Sequence, residues 1–139
     1  MKYILTHKKI AGAIVIQYDE QGRVRSFEFD CEVSQELWEF MFNNFPQMQE
    51  SLKHNSFSNF IIQAVPEDIT FLAFWKAYDH KVGDKHRAEK LYNLLGDIQK
   101  TQVMTSIPRY NTFLQKHPTQ ERCYPETYLS QSRWENEFK

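Results

Sequence analysis

Residues 60–78 read FIIQAVPEDITFLAFWKAY, and the hydrophobic pattern changes its period within this stretch. Phe60 to Val65 form a short apolar run closed by Pro66, which is typical of a β-strand. Beyond the proline, aromatic residues recur at intervals of three and four positions, the spacing of one helical face: Phe71, Phe74, Trp75 and Tyr78. The sequence therefore predicts strands before Pro66 and only helices after it.

The residues before Pro66 predict an α+β lobe. β-Branched and aromatic residues dominate positions 3–5 and 10–18, and Phe27 and Phe29 then alternate with polar residues after a break, which indicates a hairpin. Ser34 can cap a helix over residues 34–45, and a second helical piece follows over 46–53. The helix carries an apolar stripe that we expect to be buried, as such stripes usually are: Leu37, Trp38, Met41, Phe42 and Phe45.

The residues after Pro66 predict an all-α lobe. Asp68 or Thr70 caps the first helix, which Gly83 ends, and Asp84 caps a second helix that runs to Gly96. A third helical stretch covers residues 98–114, and Pro108 is expected to kink or divide it, because proline deletes a helical hydrogen bond. Pro125 suits the first position of a last helix. We thus expect an α+β fold with domains at residues 1–66 and 67–139.

Composition excludes several classes of protein. The 139 residues are 41% hydrophobic and carry a formal charge of -1, which fits one folded domain or two small lobes and excludes a histone-like polycation. The two cysteines, Cys31 and Cys123, are far apart and typical of a reduced cytoplasmic protein. The longest apolar run, Ile10 to Ile16, is much shorter than the roughly 20 residues that cross a bilayer, so no membrane span is expected.

Two strings in the second half resemble those of a known family. Residues 71–92, FLAFWKAYDHKVGDKHRAEKLY, resemble the F-x-x-F-W-x-x-Y-P-x-K-x-G-K-x-x-A signature of phage and prophage replication proteins of the DnaD-like and replisome-organiser kind. Residues 124–135, YPETYLSQSRWE, are similar to that family's P-x-T-W-L-x-Q-x-R-W-E ending. Asp79 replaces the usual proline, and the first lobe lacks an evident winged helix-turn-helix. The resemblance implies a mobile-element protein of the replication type.

The second lobe also carries a local excess of positive charge. Residues 76–133 contain ten Lys or Arg and six Asp or Glu. Lys81, Lys85 and Arg87 surround Gly83, where a helix N-terminus and flexible cations could together hold a phosphate. The alternative is an ordinary solvated helix surface. The candidate nucleic-acid contacts are Lys76, Lys81, Lys85, Arg87, Lys90, Arg109 and Arg133.

Three aromatic residues near the end of the chain are candidates for contact with bases or with a partner. Tyr124, Tyr128 and Trp134 stand among charged and polar residues, so we expect them to be more exposed than the helical stripe at residues 71–78. Exposed aromatic rings can stack on unpaired bases. The alternative is that the last helix packs onto the bundle and buries them.

No motif of a common enzyme class is present. The sequence has no G-x-S-x-G, P-loop, H-E-x-x-H or C-x-x-C pattern, and its histidines lack metal-ligand spacing. The triplet Glu137-Phe138-Lys139 is of the Glu-x-Lys kind that nucleases use, but it stands at the end of the sequence. We therefore expect no catalytic residue, no metal and no cofactor.

These observations predict a cytoplasmic, non-enzymatic phage or mobile-element protein that is accessory to DNA replication. Its partners would be DNA, contacted through phosphates, a replication protein, or both, and the first lobe would contact that protein or a second copy. The alternative is a mobile-element inhibitor or anti-defence protein that acts by binding a host protein.

Overall fold

The computed structural model describes residues 1–136 and 138, and the chain divides into two compact units, Met1–Val65 (unit 1) and Pro66–Lys139 (unit 2). Every strand of the described residues precedes Pro66, and every regular element after it is helical. The change of period within residues 60–78 therefore predicted the architecture correctly. The fold is α+β.

Unit 1 is built on a four-stranded antiparallel sheet. Its strands are β1 (Lys2–Thr6), β2 (Gly12–Tyr18), β3 (Val24–Cys31) and β4 (Ile61–Ala64), in the order β3-β2-β1-β4. The predicted hairpin is confirmed as β2–β3, and its turn is closed by Asp19 Oδ1, which accepts from the backbone N–H groups of Gln21 and Arg23 at 2.9 Å each. These hydrogen bonds within the turn therefore help to fix the register in which β3, an edge strand of the sheet, pairs with β2.

One helix and two short 3-10 turns complete unit 1. Helix α1 covers Gln35–Asn43, with Ser34 Oγ accepting from Leu37 N–H at 3.1 Å, as the capping prediction requires. The 3-10 turns are Gln49–Lys53 and Asn55–Phe57. Leu37 and Met41 are buried, together with residues of β1 and β2. The core of unit 1 therefore lies between α1, the 3-10 turns and one face of the sheet.

The predicted burial of the whole α1 stripe is wrong. Trp38 is 54% exposed, Phe42 is 79% exposed and Phe45 is 37% exposed. Leu37 and Met41 point into the core, and each next residue along a helix is rotated by about 100° from its predecessor. The row of Leu37 and Met41 therefore faces the sheet, and the neighbouring row of Trp38 and Phe42 is turned towards solvent.

Unit 2 consists of four helices and a 3-10 turn among the residues described. The helices are α2 (Phe71–Tyr78), α3 (Lys85–Asn93), α4 (Asp97–Lys116) and α5 (Pro125–Ser130), and the turn covers Arg133–Glu135. Thr70 Oγ1 caps α2 by accepting from Ala73 N–H at 3.3 Å, and Pro125 occupies the first turn of α5. The predicted capping by Thr70 and the start at Pro125 are confirmed.

Pro108 does not divide the third helical stretch. It lies inside α4, which runs unbroken for 20 residues. Pro108 is exposed, whereas Ser106, Ile107 and Tyr110 are buried. Packing of the buried face holds the helix together, and on the exposed side a carbonyl group without a helical donor can bond to water.

Candidate nucleic-acid interface

A cluster of buried tyrosines forms the frame of unit 2. The hydroxyl of Tyr78 donates to the carbonyl oxygen of Cys123 at 2.6 Å, and that of Tyr92 donates to the carbonyl oxygen of Ile69 at 2.7 Å. The hydroxyls of Tyr128 and Ser106 lie 2.5 Å apart. Burial raises the pKa of Tyr92 and of Tyr128 to about 12. These bonds fix α2, α3, α4 and α5 relative to each other within unit 2.

The start of α3 is built around a carboxylate from α5. Gly83 has φ of +92°, and a methyl group at its Cα would lie 2.6 to 2.7 Å from the carboxylate oxygens of Glu126. Glu126 is 9% exposed, and its Oε1 accepts from the backbone N–H of Asp84 at 3.1 Å. Asp84 Oδ1 in turn accepts from Arg87 N–H at 3.0 Å. Two carboxylates of the protein therefore occupy the N-terminal end of α3.

This arrangement corrects one part of the predicted phosphate site. The prediction combined the helix N-terminus with Lys81, Lys85 and Arg87, but the N–H groups of Asp84 and Arg87 already donate to side chains of the protein. Negative groups at this position satisfy the same dipole that a phosphate would. A phosphate at the Gly83 turn would therefore meet two carboxylates, so its favourable contacts would come mainly from the cationic side chains.

The structure places the predicted cations in two groups. Lys81, Lys85, Arg87 and Lys90 are exposed and lie within ten residues, from the turn before α3 to the last turn of that helix. Lys85 Nζ is 5.6 Å from the centre of the Trp75 ring. The others lie on separate elements: Lys76 on α2, Arg109 on α4 and Arg133 in the 3-10 turn. Burial raises the pKa of Tyr128 and of Tyr110, and the positive charges of Arg109 and Arg133, respectively, partly offset that rise. We call the first four cations the α3 basic surface.

The cations of the α3 basic surface are not neutralised by ion pairs. Across residues 1–136 and 138, the single ion pair between side chains is Arg23 with Asp19, in unit 1. The two carboxylates at the start of α3, Asp84 and Glu126, accept backbone hydrogen bonds instead. Residues 81–90 carry four cations and two exposed acids, Asp84 and Glu89, so the surface has a net charge of +2 with His neutral.

The predicted exposure of the C-terminal aromatic residues is correct for only one of them. Tyr124 is 49% exposed, and its ring stacks with that of His80 at a centroid distance of 6.1 Å. Tyr128 is fully buried and Trp134 is 5% exposed, so neither can stack on a base. The alternative packing of α5 and the following turn onto the bundle explains their burial, because both residues belong to the core of unit 2.

Sequence reasoning missed the internal role of Arg122. Its guanidinium carbon lies 5.3 Å from the ring centres of both Tyr78 and Tyr110, and its Nη2 donates to Asn111 Oδ1. No local pattern distinguishes Arg122 from the other cations of the second lobe. The same is true of Glu126, which looks like an ordinary acidic residue in the first turn of a helix. Only the tertiary structure shows that both side chains are committed to the interior of unit 2.

The described part of the chain contains neither a group of side chains that could hold a metal ion nor a helix that could span a membrane. Its His, Cys, Asp and Glu side chains nowhere gather in groups of three or more that could hold an ion. None of the helices found there is both long and apolar enough to cross a bilayer. Glu137 and Lys139, the ends of the Glu-x-Lys triplet, lie outside the described residues.

Unit 2 is similar to a domain family that is associated with bacterial mobile elements. Residues 66–132 match the family described as Legionella vir region protein LvrA C-terminal domain, and the match spans most of unit 2 and slightly less than half of the chain. No curated protein and no solved structure matches the chain. The match supports the mobile-element part of the resemblance, and it does not extend to DnaD-like replication proteins.

Proposed function

We propose that the chain is a non-enzymatic accessory protein of a bacterial mobile element, and that it acts in DNA replication by contacting nucleic acid through unit 2. The contact surface is the α3 basic surface, with Tyr124 as the aromatic residue available in the same unit for a base or a partner. The observation that carries the proposal is the set of four exposed cations without ion pairs between Lys81 and Lys90, in the turn before α3 and along that helix. The family match over the same unit, to a domain associated with bacterial mobile elements, supports the mobile-element part of the proposal.

The mechanism follows from the kind of side chains that are exposed. Flexible cations contact phosphates, which carry no base identity, so binding is expected to be independent of sequence. Affinity then comes largely from the release of counterions and falls with salt. Such a protein acts as an adaptor that holds nucleic acid while another surface contacts the replication machinery.

The test is a mobility-shift titration on single- and double-stranded DNA at about 50 mM salt, where phosphate contacts are strongest. Changing Lys81, Lys85 and Arg87 to Ala should weaken binding by the same factor on every DNA sequence. The slope of log affinity against log salt should become shallower by roughly 0.7 to 0.9 for each phosphate that the variant no longer neutralises. The charge-matched control changes Lys8, Lys9 and Lys53, which are exposed in unit 1, to Ala and should leave binding unchanged.

Two outcomes would contradict this proposal. A parent protein that binds neither form of DNA at about 50 mM salt has no functional phosphate surface. An equal loss of binding in the control at Lys8, Lys9 and Lys53 would show that only net charge matters. In the first case, inhibition or anti-defence by binding a host protein becomes the better proposal.

A further inference from the structure

Tyr124 and His80 form an exposed pair of aromatic rings in unit 2. Their ring centroids lie 6.1 Å apart and their planes differ by 21°, so the two rings stack. His80 is half-buried, whereas Tyr124 is 49% exposed. The histidine therefore supports the tyrosine ring from one side, and about half of the tyrosine stays open to solvent. We call these two side chains the Tyr124–His80 ring pair.

The folding of unit 2 does not account for the exposure of Tyr124. The other four tyrosines of this unit are buried and their hydroxyls form hydrogen bonds: Tyr78, Tyr92, Tyr110 and Tyr128. The hydroxyl of Tyr124 has no hydrogen-bond partner among the described residues. Tyr124 immediately precedes α5, but its side chain makes no capping bond there. Its ring is therefore available to a ligand.

The ring pair lies beside cations of the α3 basic surface. Lys81 directly follows the histidine in the turn before α3. Two residues beyond the tyrosine, Glu126 Oε1 accepts at 3.1 Å from the backbone N–H of Asp84, the residue that precedes Lys85. The turn before α3 and the start of α5 are joined at this bond, so the rings and the two lysines border the same turn.

The net charge of this region is small. Residues 79–90 carry four cations and three exposed acids, Asp79, Asp84 and Glu89, which gives a net charge of +1 with His neutral, and the exposed Glu121 lies three residues before Tyr124. A duplex keeps its base faces stacked inside the helix and offers such a surface mainly its phosphates. A single strand also offers unpaired bases, and stacking on an aromatic ring adds a contact that does not depend on charge.

We infer that unit 2 binds single-stranded nucleic acid in preference to duplex, with an unpaired base stacked on the Tyr124–His80 ring pair and neighbouring phosphates held by Lys81 and Lys85. The inference rests on the proposed function, because it specifies which form of nucleic acid the α3 basic surface binds. Every base has a flat π-face, so this contact leaves binding tolerant of sequence.

The test is fluorescence anisotropy with the full chain and three probes of about 12 nucleotides in each strand. The probes are an oligo-dT strand, an abasic strand of the same length, and the dT strand paired with its complement. The abasic strand retains the phosphates but lacks the bases. At about 50 mM salt, the dT strand should bind at least about fivefold more tightly than either of the other probes.

Variants assign the preference to the ring pair. Tyr124→Ala should lower the affinity for the dT strand to that for the abasic strand, and should leave the other two affinities and the melting temperature unchanged. Tyr124→Trp should retain the preference, because it restores an aromatic ring. The matched control is Phe42→Ala, which removes a more exposed ring (79%) from unit 1 and should change none of the three affinities.

The abasic strand separates failure of this inference from failure of the proposed function. If the parent binds the abasic strand or the duplex as tightly as the dT strand, the proposed function stands and this inference is overturned. The inference is also overturned if Tyr124→Ala leaves the affinity for the dT strand unchanged, or weakens all three probes by the same factor. A parent that binds none of the probes overturns the proposed function and this inference with it.

Discussion

At the scale of single residues, Phe74 and Trp75 are neighbours in sequence but occupy different environments. Phe74 is fully buried and stacks with Tyr92 at a centroid distance of 5.0 Å, whereas Trp75 is half-buried with Lys85 over its ring. Phe74→Ala should therefore lower the free energy of unfolding by about 3 to 5 kcal/mol, and Trp75→Ala by less than half as much. Urea denaturation of both variants measures the difference. Equal losses would show that Trp75 is as important to the core as Phe74.

The buried tyrosines predict a loss of stability at high pH. An unfolded tyrosine releases its proton near pH 10, whereas folded Tyr92 and Tyr128 hold theirs to about pH 12. Between these values the unfolded state binds fewer protons, so the free energy of unfolding should fall as pH rises. Each such tyrosine steepens the fall by about 1.4 kcal/mol per pH unit.

Urea denaturation between about pH 9 and about pH 11 checks this prediction, together with tyrosinate absorbance. The variant Tyr128→Phe should be less stable at neutral pH, where it loses the bond to Ser106, but should show a shallower decline above pH 10. Ionisation of all seven tyrosines near pH 10 in the intact fold would contradict it.

Burial of individual residues was predictable only where a pattern had a single interpretation. Of the predicted stripe on α2, Phe71, Phe74 and Tyr78 are buried in the bundle as predicted, whereas Trp75 is only half-buried. The predicted burial of Trp38 was wrong, and of the two alternatives for Tyr128 the packing of the last helix onto the bundle is the one observed. The number of surfaces that a helix meets decides the exposure of its second row, and the sequence does not contain that number.

At the scale of elements, the turn before α3 depends on a glycine. Gly83→Ala would put a methyl group at positive φ and against the Glu126 carboxylate, which would have to give up its bond to Asp84. The free energy of unfolding should fall by about 1 to 3 kcal/mol. The control is Gly96→Ala, where φ is -75° and no atom lies within 4 Å, so the loss should be below about 1 kcal/mol. Equal melting temperatures for the two variants would contradict this account of the turn.

The starts of the helices were largely predictable, but α2 ends at Tyr78 and not at Gly83 as predicted, because Asp79 adopts the left-handed conformation that closes it. The long-range contacts at the helix ends were not predictable. Ser34, Thr70 and Asp84 cap helices as expected because capping involves residues three positions apart. The bond from Asp84 N–H to Glu126 joins residues 42 positions apart. A contact of that range leaves no trace in local spacing, and for this reason the phosphate site at the helix N-terminus was predicted where a carboxylate lies.

At the scale of the whole molecule, each unit has its own hydrophobic core. The core of unit 2 draws its buried residues from positions 71–134, and that of unit 1 from positions 5–57. The fragment of residues 66–139 should therefore be helical and melt in one cooperative transition, and should retain the DNA affinity of the full chain. Circular dichroism and the mobility shift measure both properties. A fragment that shows no melting transition would show that unit 2 requires unit 1 for its stability.

The general class of the protein was more predictable than its role. Two aromatic-rich strings indicated a mobile-element protein, and the family match over residues 66–132 agrees with that class. A role in replication would depend on the partners that the protein binds. None of the side chains in either string identifies a partner by its own chemistry.

The packing of Tyr128, Leu129 and Trp134 into the core of unit 2 has a consequence for synthesis of the chain. A ribosome makes the N-terminal residues first, so unit 1 can fold as soon as β4 has emerged. The hydroxyl of Tyr78 can donate to the carbonyl oxygen of Cys123 only after Cys123 has been synthesised. The N–H of Asp84, at the start of α3, likewise has its acceptor only after Glu126 has been synthesised. A message interrupted after α4 would therefore yield a folded unit 1 joined to an open helical segment, which chaperones and proteases recognise by its exposed aromatic residues.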